Sequence, residues 1–184
     1  MRIVAAVIFC LYLVLVESTS PMARETKVGS KAFTESVILG EIVTQLIAGS
    51  GLEAVHHSQL GGTRILWEAL KAGEIDVYPE YTGTLTNEIL ARYRFETDRQ
   101  QKEFLGELGL QLGPKIGFNN TYALAVTEST SLSREIHKIS DLAAHRDLSF
   151  GFSNEFMDRQ DGWPGLKATY SLTQKDVFGL DHDL

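Results

Sequence analysis

Apolar side chains recur at spacings of three and four between residues 36 and 47, as Val37, Ile38, Ile42, Val43, Leu46 and Ile47. That period predicts an amphipathic helix. Thr34 is placed to cap its start, and Gly49-Ser50-Gly51 ends it. Lys27-Val28-Gly29-Ser30 before it reads as a short strand, and Leu52 to His57 after it as a second. Gly61-Gly62-Thr63 opens another helix through Ile65, Leu66, Ala69 and Leu70, stopped near Gly73, and Ile75 to Tyr78 reads as a third strand. Strand, helix, strand, helix, strand at this pace predicts a parallel α/β sheet.

Further on, Leu85 to Ala91 reads as helical, Arg92 to Lys102 as a polar segment, and Gln101 to Leu112 as including another helix. Pro114 to Asn120 is expected to cross between two lobes. The second lobe then begins with a strand at Tyr122 to Val126 and a short helix at Ser140 to Ala144. A strand at Leu148 to Phe152 follows, then a helical turn capped by Asn154. Pro164 suits the first turn of a helix running through Tyr170. After Val177 the remaining residues are too few for more strands, so the second lobe is expected to be incomplete. The expected boundaries are 24–113 for the first lobe and 114–184 for the partial second one.

The start of the chain has a different character. Arg2 precedes an almost unbroken apolar run from Ile3 to Val16, followed by the polar Glu17-Ser18-Thr19-Ser20. That layout predicts a signal peptide over residues 1–23, cleaved after Ala23, with an uncleaved anchor as the other reading. The single cysteine, Cys10, lies inside it behind Phe9, which argues against lipid attachment. The mature chain would have no thiol, hence neither a disulfide framework nor a thiolate metal site. Apolar residues make up 43% of the sequence, as in a globular protein, and the formal charge of −7 opposes a phosphate-binding surface for nucleic acid.

Five blocks carry more specific information. They are Val28 to Glu35 (VGSKAFTE), Leu60 to Thr63 (LGGT), Tyr78 to Thr84 (YPEYTGT), Asn119 to Leu124 (NNTYAL) and Phe156 to Arg159 (FMDR). In this order they resemble the glycine betaine/choline-binding proteins of osmoprotectant ABC transporters. The resemblance implies an α/β, periplasmic-binding-protein-like (type II) two-lobe fold that closes over its ligand. It also implies a periplasmic protein at the inner-membrane transporter complex, handing ligand to an ABC permease and, through it, to the ATPase subunit. A monomer is expected, with no nucleic-acid partner.

A quaternary ammonium is fully charged yet has no N–H to donate. Aromatic faces attract such a cation and bury its methyl groups, whereas a betaine carboxylate wants Lys, Arg or hydroxyl donors. By resemblance, Tyr81 and Tyr122 would be opposing walls of the cage, with Asn120 facing the site. Lys31, Thr84 and Arg159 would hold the carboxylate. Lys31 ends the first strand where the chain turns into a helix, a place that favours anions. The family's cage is completed by aromatics beyond the end of this chain, so weak binding or poor folding is expected of the polypeptide alone.

The residues call for no cofactor and no metal. His56 and His57 are neighbours on a strand and point to opposite faces. No HExxH, GxSxG or phosphate-loop pattern occurs, so catalysis is not expected. Two other readings are a binder of an amino acid or other small zwitterion on the same fold, and a ligand-sensing module. The export signal opposes the second of these.

Overall fold

The computed structural model describes residues 24–181. The expected signal peptide, with Cys10, lies outside the described residues, and so does His182.

Strand β1 (Thr26–Gly29) pairs in parallel with β2 (Ala54–His57), from Thr26 beside Ala54 to Gly29 beside His57. Helix α1 (Thr34–Gly49) makes the crossover and touches both strands. Helix α2 (Thr63–Ala72) follows, and Gly73 closes it in the left-handed conformation, which a residue without a Cβ adopts at little cost. The expected third strand is reduced to one parallel bridge, Val28 to Val77, and the Gly29 N–H donates to the Val77 carbonyl at 2.8 Å. Val28 is fully buried in the middle of this arrangement.

Two details differ from expectation. Phe33, not Thr34, occupies the cap position of α1, and no side chain caps it. The apolar stripe of α1 is also only partly covered, with Ile38, Ile42 and Leu46 exposed. The buried face is made of the small Ser36 and Gly40. A Cβ on Gly40 would lie 2.5 Å from His56 Nε2, so close approach to β2 has taken precedence over burial of the large side chains.

Beyond Tyr81 the chain forms one helical turn, α3 (Thr82–Thr84), which widens into a π-helical turn at Leu85–Ile89. Helix α4 (Asp98–Glu107) begins inside the segment expected to be polar coil. Thr97 and Gln100 form a reciprocal capping box there, a signal that hydrophobic periodicity does not register. Leu85, Leu90 and Leu105 bury a cluster between these turns, joined by Trp67, Phe95 and Phe104.

The second lobe contains α5 (Glu128–Arg134), a 3₁₀ turn at Ile139–Ala144, β3 (Phe150–Ser153), α6 (Asn154–Asp158), α7 (Trp163–Tyr170) and β4 (Val177–Leu180). Its core gathers Ile136, Leu142, Phe156, Trp163 and Leu172. Ser153 caps α6 by accepting from the Phe156 N–H, a role expected of Asn154. Two further expectations are corrected here. Val177–Leu180 is a strand after all, parallel to β3. Tyr122 to Val126, expected as a strand, is irregular and exposed. A strand is defined by its partners, and β3 and β4 pair with each other.

Candidate ligand-binding cleft

Lys31 lies two residues past β1, and its N–H donates to Ser36 Oγ at 2.9 Å. Its ammonium does not lie free in a turn. Nζ donates to Glu80 Oε1 at 2.7 Å and to Thr63 Oγ1 at 3.0 Å, with the lysine side chain 2% exposed and the glutamate 10%. Thr63 is the first residue of α2, so the helix end near the ammonium is that of α2 rather than α1. A cation there opposes the helix dipole, which makes the nearby carboxylate necessary. The same Glu80 oxygen accepts the Tyr81 N–H at 2.8 Å.

Tyr81 donates its phenol to Glu35 Oε1, and Asn120 Nδ2 donates to that oxygen at 2.8 Å. Burial, together with the Glu35 hydrogen bond, pushes the Tyr81 phenol well above its ordinary range and keeps it a donor. Phe33 lies against the ring at 6.1 Å between centroids, and Lys31 Nζ is 5.6 Å from its centre. Tyr81 is therefore an anchored aromatic face that already has one cation nearby.

Arg159 is 8% exposed. It grips Asp161 with a fork, Nε to Oδ1 at 2.8 Å and Nη2 to Oδ2 at 2.7 Å. Its Nη1 reaches the first lobe, donating to Thr84 Oγ1 at 3.0 Å and Glu88 Oε2 at 3.1 Å. Asn87 adds another crossing to Asp161 at 3.0 Å. The fork pushes Arg159 up and holds the Asp161 carboxyl below the ordinary carboxylate range. Glu88 is pushed the other way, first by burial and then by the charge of Glu155.

Tyr122 packs edge-on against Phe156 at 4.6 Å and is half exposed. Burial and the Glu155 carboxylate raise its phenol. Thr63 Oγ1 donates to Glu155 Oε1 at 2.7 Å, a further bond between the lobes. Two clefts border Glu155, and one of about 500 Å³ is lined by Ile65, Glu88, Asp158 and Arg159 among others. The other, of about 270 Å³, is bordered by Lys31, Phe33, Asn154 and Leu180.

Of the residues expected at the site, Thr84 and Arg159 meet directly, as do Asn120 and Tyr81 through Glu35, and Lys31 stands over Tyr81. Tyr122 packs on Phe156, near Arg159 and the carboxylates of Glu155, Asp161 and Glu88. Sequence reasoning missed the acidic partners Glu35, Glu80, Glu88 and Glu155, and the hydroxyl of Thr63. Most of these stand inside or next to the five blocks, and a lysine or arginine bound for burial requires such a partner. Among the described residues no group of three or more His, Cys, Asp or Glu is arranged to hold a metal.

Residues 24–182 match the model of the substrate-binding domain of the ABC-type glycine betaine transport system. The chain belongs to that family. This is a family of transport-related binding domains rather than of enzymes. Among relatives, the ergothioneine transport permease/ergothioneine binding protein EgtU of Helicobacter pylori is 35% identical over 173 residues, 85% of this chain and 29% of that protein. The glycine betaine-binding protein YehZ of Escherichia coli is 30% identical over 163 residues, 82% of this chain and 53% of that one. A solved glycine betaine/carnitine/choline ABC transporter protein superposes with a TM-score of 0.60 at 25% identity, covering 86% of this chain and 61% of that one. Apo YehZ superposes with a TM-score of 0.51 at 28% identity, over 87% of this chain and 62% of that one. The fold is thus the periplasmic-binding-protein-like two-lobe α/β fold. This family member spans about half of the length of YehZ and about three fifths of the solved structures. Among the described residues, no helix is long and apolar enough to cross a membrane.

Proposed function

We propose that the chain is the ligand-binding part of an osmoprotectant importer, taking glycine betaine, choline or a related quaternary ammonium compound in the periplasm. It passes the ligand to an ABC permease coupled to an ATPase, performs no catalysis, and acts as a monomer. Its lobes divide in the crossing at Pro114 to Asn120. The observation that carries this reading is the contact of Arg159 with Thr84 across the lobes. It links two of the blocks singled out in the sequence, in a chain matched to the family along nearly its whole described length. Anchored Tyr81 supplies the aromatic face, with Tyr122 as the second wall, and Lys31 and Arg159 the positive pole. A methylated cation over such a ring contributes about 0.5–2 kcal/mol depending on its desolvation.

The relative named for ergothioneine favours a second reading, that of a larger betaine. That compound also joins a trimethylammonium group to a carboxylate, so the two readings share one chemistry and differ in size. Titration calorimetry with glycine betaine, choline, ergothioneine and glycine tests both. Binding of at least one methylated ligand, with glycine not bound, is the expected result, and preference for glycine overturns the reading. Tyr81→Phe keeps the ring and loses the Glu35 anchor, so affinity falls about threefold, whereas Tyr81→Ala loses the ring and falls by tenfold or more, on the order of 1–2 kcal/mol.

A further inference from the structure

Thr63 is 3% exposed and its hydroxyl has two partners of opposite kind. It accepts from Lys31 Nζ at 3.0 Å and donates to Glu155 Oε1 at 2.7 Å. A hydroxyl has one proton to give. When Glu155 takes it, the lone pairs of Oγ1 are left facing the ammonium. Lys31 and Thr63 belong to the first lobe, and Glu155, on α6, belongs to the second. The state of the Thr63 rotor is therefore set by whether the second lobe is in place.

We propose that Thr63 and Glu155 form a relay that positions Lys31 as the lobes meet: Glu155 fixes the hydroxyl, and the hydroxyl fixes the ammonium. With the lobes apart, Thr63 Oγ1 can still accept from Lys31, but its proton and rotamer have lost their fixed partner, so the ammonium is held less firmly. With the lobes together, Lys31 is drawn between Glu80 and Thr63 at the border of the smaller cleft. Thr63 borders the larger cleft and Glu155 borders both, so the relay touches each of them. Both residues are positioning residues, and the ligand-related part of the inference rests on the reading that Lys31 faces a ligand carboxylate.

Two measurements on the full chain test this, and one needs no ligand. In a Cys10→Ser background, spin labels are placed on the exposed positions Glu74→Cys and Lys175→Cys, one in each lobe. Thr63→Val and Glu155→Ala each lengthen and broaden the interlobe distance distribution, Thr63→Ser restores it, and combining Thr63→Val with Glu155→Ala adds nothing further. Distances unchanged in Glu155→Ala, or equal in Thr63→Ser and Thr63→Val, overturn the relay. Should Thr63→Val not fold by circular dichroism, Glu155→Ala decides alone, since its side chain lies at the cleft. In the second measurement, Glu155→Ala weakens glycine betaine by about tenfold and choline, which has no carboxylate for Lys31, by less than about threefold. Equal losses for the two ligands overturn the link to Lys31. If the unaltered chain binds neither ligand, the proposed function fails, while the distance measurement still judges the relay.

Discussion

Lys31 in the first lobe finds its counter-charge within that lobe, in Glu80, and is linked to the second lobe through the Thr63 hydroxyl. Arg159 in the second lobe divides its N–H groups between Asp161 of its own lobe and Thr84 and Glu88 of the other. The sheets differ in the same sense. β1 runs between β2 and the Val77 bridge with Val28 and Gly29 buried, whereas β3 pairs with β4 and both are half-buried or exposed. The first lobe thus holds its ion pair ready-made, and only the Thr63 hydroxyl beside it waits on the second lobe. The second completes its contacts only by touching the first, which is the arrangement a hinged binder requires if ligand is to favour the closed state.

The largest effect that this contrast predicts is on the first lobe itself. Lys31→Ala leaves Glu80 as an uncompensated carboxylate in a nearly dry site, a change worth about 3–5 kcal/mol of stability. Adding Glu80→Gln recovers much of that loss, because the stranded charge is gone. Chemical denaturation of the two variants checks this. A Lys31→Ala protein as stable as the parent would mean that the pair is not a preassembled part of the lobe.

The same contrast explains what could be read from the sequence. Elements fixed by local signals were legible: α1 and α2 with their glycine stops, α7 behind Pro164, and the alternation that gives β1 and β2. Elements that depend on distant partners were not. The stretch from Tyr122 to Val126 has strand chemistry yet is irregular, and Val177–Leu180 gained strand character by pairing with β3. At the cleft, the cations and aromatic residues stood out because they lie in or beside the five blocks that carry the family resemblance, and their chemistry suits a methylated zwitterion. Most of their carboxylate partners did not, because Glu35 and Tyr81 are 46 positions apart and Thr63 and Glu155 are 92. Only a folded chain brings such residues together.

Arg159→Ala sharpens the contrast from the other side. Asp161 and Glu88 remain about one third exposed, so water compensates them and the expected stability loss is smaller, about 2 kcal/mol. Its effect on closure is greater, since the Thr84 and Glu88 contacts are lost together. Small-angle scattering is expected to show a more extended molecule for Arg159→Ala than for Lys31→Ala with Glu80→Gln. Arg159→Lys falls between, keeping the charge but not the fork on Asp161. If both lobes behave alike in this comparison, the distinction between a ready-made and a completed half fails.

The finest discrimination comes from pH, because two carboxylates at the lobe contact shift in opposite directions. Glu88 is raised from its ordinary value of 4.5, first by burial and then by Glu155, while Arg159 and Lys31 pull it down. A raised folded value means that its contribution is fully present below the ordinary value and is lost as pH climbs through the raised one. Asp161 is lowered from its ordinary 3.8, chiefly by the hydrogen bonds from Arg159. Its contribution is present above that ordinary value and is lost as pH falls through the depressed one. Stability is therefore expected to fall as pH rises above the ordinary value of Glu88, and to fall as pH drops below the ordinary value of Asp161. Glu88→Gln flattens the first slope and leaves the second, and Asp161→Asn does the reverse. Melting temperatures followed from acid to neutral pH separate the two. An unchanged first slope in Glu88→Gln would show that burial and Glu155 do not raise Glu88 in the folded chain.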